Sequence, residues 1–201
     1  MPALSDATRR DRRQHVLVSA WKCFSRQGFH ATSMDDVISE TGMSSSSVYR
    51  YFRSKEELID AAAQESLALA EALLTELISN DRVPSPAETL SALVDGVRSQ
   101  HRDDYDLSKI AMAAWAEALR STPLNDFAHH FYDSAHRAFA TLGRRWIDTA
   151  MLPSDTNPEA IADLFVTLMP GLIVTAHLHR PSDADSLVAG IVAFASTATS
   201  R

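Results

Sequence analysis

Apolar residues recur at intervals of three and four along nearly the whole chain, and alternation over strand length is absent, which predicts an all-α fold. The first helix is expected over residues 8–27, where Val16, Leu17, Ala20, Trp21 and Phe24 share one side, and Gly28 stops it. Ser33-Met-Asp-Asp36 places a serine cap three residues before an acid and opens a short second helix that ends at Gly42. Ser44 is positioned to cap a third helix reaching Phe52. Ser54-Lys-Glu-Glu57 has the form of a capping box for a long fourth helix running to Ile78. Residues 80–86 collect turn formers and two prolines, which predicts a loop. Five further helices are expected at 87–102, 106–120, 124–150, 158–180 and 183–199. Pro170-Gly171 should kink the eighth of the nine, because proline lacks the backbone donor and crowds the turn before it.

Charge sharpens this outline. The 201 residues carry a net charge of −7, which taken alone argues against nucleic acid, but the distribution is uneven. Residues 1–55 hold nine Lys/Arg against five Asp/Glu, whereas the remainder holds ten against twenty-one. A phosphate backbone repels the acidic part and attracts the basic one, so the field orients the molecule head-first toward DNA. The single cysteine, Cys23, has no intramolecular partner and lies beside Trp21 and Phe24, which predicts a core thiol rather than a redox sensor. No run of eighteen apolar residues occurs, and the opening MPALSDATRRDRR lacks the apolar stretch of a secretory signal, so a cytoplasmic protein without a membrane partner is expected. Neither a nucleophile elbow, a phosphate loop nor a His-Glu-x-x-His motif is present, and the expectation is a non-enzyme without a cofactor.

The two short helices around Gly42 carry the most information. A second helix of about eight residues held across a first presents its outer face to a major groove. Here that face offers Ser45, Ser46, Ser47, Tyr49 and Arg50, with Val48 and Phe52 pointing inward and Met43 packing back between the helices. Hydroxyls reach phosphates or base edges at close range, and arginine bridges O6 and N7 of guanine with two bonds. Lys55, near the start of the fourth helix, is placed to neutralise a phosphate. Tyr49, Tyr51 and Phe52 also suit a plain aromatic core, and for Phe52 that is the expected role. The Arg9–Arg13 cluster suits either a solvated face or an arm along a flanking groove.

Val16-Leu17-x-x-Ala20-x-x-x-Phe24, Gly28-Phe29-x-x-Thr32-Ser33-Met34-x-x-Val37, Gly42-Met43-Ser44 and Val48-Tyr49-x-Tyr51-Phe52-x-Ser54-Lys55-x-x-Leu58 together resemble the opening of tetracycline-repressor (TetR) family regulators over roughly residues 14–60. The resemblance implies a nine-helix homodimer with a DNA-binding helix-turn-helix head at 1–55 and an effector-binding and dimerisation body at 56–201. It implies DNA contacts from Thr32, Ser33, Ser44, Ser45, Ser46, Ser47, Tyr49, Arg50, Tyr51 and Lys55, and a repressor that a small effector releases from a palindromic operator. Many members carry lysine and glycine where this chain has Ser45 and Ser46. The operator sequence therefore does not transfer from relatives. Ile38 stands where a small residue is usual, which implies local repacking.

The body is dense in large apolar groups. Tyr105, Met112, Trp115, Phe127, Phe131, Phe139, Trp146, Phe165, Leu168, Met169 and Leu172 form the candidate effector pocket, although any one of them also suits plain core packing. Histidines 101, 129, 130, 136, 177 and 179 raise the alternatives of a metal-responsive regulator or a metal-dependent enzyme. Their spacing opposes both, because His129 and His130 splay apart and His177 and His179 nearly oppose, so no metal is expected. A further alternative is a DNA-independent helical protein that binds a small molecule. Leu164, Phe165, Leu168, Leu172, Leu187, Ile191 and Phe194 stripe the last two helices, the expected homodimer contact.

Overall fold

A computed structural model describes residues 5–79, 81–180 and 183–198; Asn80, Pro181 and Ser182 of two expected separators, and the side chain of Phe194, lie outside it. Among the described residues the chain forms nine α-helices and no strand. They are α1 (Asp6–Ala31), α2 (Met34–Thr41), α3 (Ser45–Tyr49), α4 (Lys55–Ser79), α5 (Pro86–Ser99), α6 (Leu107–Ala118), α7 (Thr122–Asp148), α8 (Pro158–Leu178) and α9 (Ala184–Ala198). The all-α expectation holds, element by element.

Local chemistry explains the boundaries. Ser5 caps α1 by accepting from the Thr8 amide. Gly28, at φ 77°, breaks the helical path as expected, and one more turn carries the chain to Ala31. Ser33 and Asp36 form the expected reciprocal capping box on α2, and Ser85 and Glu88 form another on α5, where Pro86 fills the first turn. Pro170 and Gly171 lie inside α8. One expectation needs correction: helix α3 ends at Tyr49, short of Phe52.

The chain divides into two compact units, one of residues up to Ala68 with His101–Phe127, the other of Leu69–Gln100 with residues from Ala128 onward. In the first unit, Val16, Leu17, Ala20, Val37, Val48, Phe52 and Leu58 are all but fully buried, and α6 contributes Ile110 and Ala111. Trp21 rests tilted on Tyr105 with ring centroids 5.4 Å apart. Cys23 is buried, as expected, and burial pushes its thiol pKa up. In the second unit, Phe139 stacks on Phe165 at 4.9 Å, and Trp146 lies 5.7 Å from the same ring. The Trp146 indole N–H donates to the Pro84 carbonyl at 2.6 Å, and Arg145 Nη1 donates to the Ile78 carbonyl at 2.7 Å. Those two bonds tie the turn after α4 to α7.

Candidate nucleic-acid interface

The turn between α2 and α3 is built from three residues. Gly42 adopts a left-handed conformation at φ 65° and ψ 11°, which L-residues with a Cβ rarely take. Buried Thr41 donates its hydroxyl to the Ile38 carbonyl at 2.7 Å and accepts from the Met43 amide at 3.0 Å. His15, from α1, donates Nε2–H to the Thr41 carbonyl at 2.9 Å. The turn is thereby pinned from both sides.

On α3, Val48 is fully buried and anchors the helix, while Ser45, Ser46 and Arg50 are exposed and Tyr49 is 44% exposed. Phe52, just beyond, is fully buried beneath the Arg13 guanidinium, which sits 4.6 Å from the ring centroid in a cation–π contact. Ser44 occupies the cap position of α3 without the expected side-chain cap bond; its hydroxyl pairs instead with those of Ser47 at 2.9 Å and Ser46 at 3.3 Å. Met43 is half-buried.

Other candidates from the sequence are placed differently. Thr32 is only 1% exposed, and its hydroxyl donates to the Gly28 carbonyl at 2.9 Å. The Ser33 hydroxyl donates to the Asp36 carboxylate at 2.6 Å and accepts from the Asp36 amide; that hydroxyl and the Ser33 amide, which donates to the same carboxylate at 2.7 Å, hold the Asp36 carboxyl below its ordinary pKa. Lys55 spans back across 23 and 25 residues, its ammonium donating to the carbonyls of Thr32 at 2.9 Å and His30 at 3.1 Å. A cation at those last carbonyls of α1 is favoured by the helix dipole. Tyr51 is half-buried, with its hydroxyl buried and unpaired among the described residues. The Ser54 box is shifted as well: Glu57 donates its amide to Ser54 Oγ, but its carboxylate accepts from the Arg53 amide.

The charges of α1 are sorted along its length. Toward its C-terminal half, Lys22 pairs with Asp104 at 2.8 Å, Arg26 with Glu40 at 2.9 Å and His30 with Glu117 at 3.3 Å. Nearer its start, Arg9, Arg10 and Arg12 are exposed and hold no ion pair among the described residues, as is true of Arg50 and Arg53 beyond α3. Between the start of α1 and α3 lies an open depression of about 450 Å³, lined by Thr8, Asp11, Arg12, His15, Met43, Ser44 and Ser47.

A serine-faced helix thus stands over a pinned glycine turn, with exposed, unpaired arginines at the start of α1 and just beyond α3. Residues 16–62 match the bacterial regulatory proteins of the tetR family, and residues 86–198 match the C-terminal domain of the BetI-type transcriptional repressors. The chain belongs to the tetR family. It is therefore a DNA-binding transcriptional regulator of the helix-turn-helix type. The HTH-type regulator YfiR of Bacillus subtilis is 28% identical over 88% of this chain and 85% of its own length. Among solved structures, a TetR transcriptional regulator from Chloroflexus aurantiacus has a TM-score of 0.72 at 20% identity, covering 97% of this chain and 98% of that one. A transcriptional regulator from Saccharomonospora viridis, in complex with choline, has a TM-score of 0.72 at 20% identity, covering 92% of this chain and 95% of that one.

In this tetR-family chain the candidate effector residues fall into two groups. Phe139, Trp146, Phe165 and Leu172 form the buried core of the second unit, with Leu168 and Met169 partly buried against it. Phe131 is also buried, edge-on to Tyr132 at 5.3 Å. Tyr105, Met112, Trp115 and Phe127, in the first unit, are half-buried, and the Trp115 indole N–H is buried without an acceptor among the described residues. The second unit also has a groove of about 220 Å³ between α4 and α7, lined by Glu71, Leu74, Thr75, Ile78, Ser134, Arg137, Ala138 and Thr141. Sequence reasoning missed that groove because its charged and hydroxyl residues read as solvated helix faces. Among the described residues no three His, Cys, Asp or Glu side chains converge as a metal site. His136 instead bridges to Asp163 at 3.0 Å and Glu159 at 3.7 Å.

Proposed function

We propose that this regulator is a homodimeric repressor that reads a palindromic operator through α3 and is released from it by a small, largely apolar effector. Residues 1–55 do the DNA binding; residues 56–201 bind the effector and the second copy. The observation that carries the reading is the face of α3: Tyr49, Arg50 and the serine hydroxyls stand outward over a fully buried Val48, with Arg12 beside Ser44 and Ser47 and Arg53 just beyond the helix. Tyr49 and the serines take phosphate or base-edge contacts, and Arg50 reads guanine. Thr32, whose hydroxyl and carbonyl are engaged internally, acts through its backbone amide, and Ser33, whose hydroxyl and amide both go to Asp36, acts by holding the start of α2 in place. Lys55 has one N–H beyond the two that cap the Thr32 and His30 carbonyls.

Two copies are needed because one short recognition helix makes few contacts and a two-fold dimer reads two half-sites. Support for a dimer through the last helices comes from α8 and α9, which expose Leu164, Val174, Leu178 and Ile191. An 18-residue window of α8 has a mean hydropathy of 1.7, enough by length and composition to cross a membrane, and we assign its apolar surface to the partner subunit rather than to lipid. The site of action is then the cytoplasm, with no catalysis involved.

For the effector, the half-buried Trp115 and Met112 on α6 are the favoured contacts. A buried indole N–H without an acceptor costs about 1–3 kcal/mol, which an effector carbonyl or hydroxyl would recover. Helix α4 contributes to both units, residues up to 68 to one and from 69 to the other, so it is a covalent route for the signal. An effector that favours the DNA-incompetent state by about 3 kcal/mol lowers operator affinity about 150-fold.

The test is selection from a random double-stranded DNA library at near-physiological salt. An enriched sequence with two-fold symmetry is expected, and Arg50→Ala should lose its base preference. Retention of DNA with no enriched sequence would overturn the operator-reading role.

A further inference from the structure

We propose that the depression between the start of α1 and α3 is a second seat for a DNA backbone phosphate, flanking the stretch that α3 faces. The proposal rests on the reading of α3 as the DNA-facing helix and deepens it by naming contacts outside the helix-turn-helix. The floor and rim combine the chemistry a phosphodiester needs. Arg12 supplies an unpaired guanidinium, and Thr8 and Ser47 supply hydroxyls that are free to donate when their partners, Ser5 Oγ at 2.8 Å and Ser44 Oγ at 2.9 Å, donate to them. His15 commits Nε2–H to the Thr41 carbonyl, which fixes the ring as part of the wall. Met43 adds an apolar surface suited to a sugar.

Geometry strengthens the assignment. Ser44 and Ser47, which line the depression, also share a hydrogen bond on α3 itself. A strand bound at α3 therefore runs directly beside Arg12. The need for such a seat is also visible: the Thr32 and Ser33 hydroxyls and two of the three Lys55 N–H groups are already engaged inside the protein. Asp11, on the same rim, opposes an anion, so the seat is a tuned contact whose strength one carboxylate holds down.

The experiment measures binding of the full chain to the library-selected duplex and to a random-sequence duplex across a salt series. Arg12→Ala should lower the slope of log affinity against log salt by about 0.9, the loss of one phosphate contact. It should weaken both duplexes about equally, by roughly tenfold at moderate salt. Arg120→Ala, an exposed cation elsewhere in the same unit, should leave the slope unchanged. Asp11→Asn should tighten both duplexes several-fold, and it keeps the measurement decisive if Arg12→Ala loses its fold. Slopes and affinities equal to wild type in both variants, with wild type bound, would overturn the seat and leave the α3 reading standing. Failure of wild type to bind either duplex would overturn both. Titration of the DNA-free protein with inorganic phosphate at constant ionic strength, followed by the His15 ring signals, separates the two sources of the anion. Saturable shifts there, with an unchanged salt slope for Arg12→Ala, would assign the depression to free phosphate and sink the DNA role.

Discussion

The first unit and the second treat their conspicuous side chains in opposite ways. Around α3 the polar candidates remain outside: Tyr49, Arg50, Ser45 and Ser46 are exposed over a helix held by Val48. In the second unit the aromatic candidates have turned inward, with Phe139, Phe165 and Trp146 buried against one another. A polar face on a short helix needs only one anchor to stay available, whereas large apolar groups on several helices satisfy each other before any ligand arrives. Aromatic density by itself therefore reports core first, and the exposed hydroxyl-and-cation surface is the better guide to function.

Substitutions test that contrast from the largest effect downward. Trp146→Ala removes a fully buried ring and orphans the Pro84 carbonyl, and should cost about 3–5 kcal/mol in urea unfolding. Tyr49→Ala should change stability by less than about 0.5 kcal/mol while weakening duplex binding broadly. Equal destabilisation by the two would erase the contrast. Arg50→Ala should cost about 1–3 kcal/mol on the selected duplex and far less on random DNA, measured by competition. Gly42→Ala has open space for its Cβ but keeps the left-handed backbone, so about 1–2 kcal/mol of strain is expected in urea unfolding. The smallest effect concerns acid. Arg82 and the Ser85 amide hold the Glu88 carboxyl down to about 2, below its ordinary 4.5. Its contribution to stability is therefore present above about pH 4.5 and is lost as the pH falls through about 2. Glu88→Gln should flatten the urea midpoint over that window, and added salt should mute the difference.

Much of this was legible in the residues alone. The helices announced themselves through periodicity, the α2 cap through Ser33 and Asp36, and the turn through Gly42, because each depends on neighbours within four positions. What lay hidden depends on distance along the chain. That Lys55 reaches back to the carbonyls of Thr32 and His30, or that the Thr32 hydroxyl is buried, follows from how α1 and α4 meet, and no local pattern encodes it. In the candidate effector set, Phe165 and Trp115 have equally apolar settings in sequence, and only packing separates a core ring from one with an unused N–H.

The three linked hydroxyls of Ser44, Ser46 and Ser47 are rotors, and in each of their bonds either oxygen can be the donor. A turn of the hydrogens reverses the whole relay without moving a carbon. Presented to DNA, such a relay offers a donor to one base edge and an acceptor to the next at little cost. A recognition helix of this make trades a fixed alphabet for tolerance, and the operators it binds should form a graded set of related sequences rather than a single word.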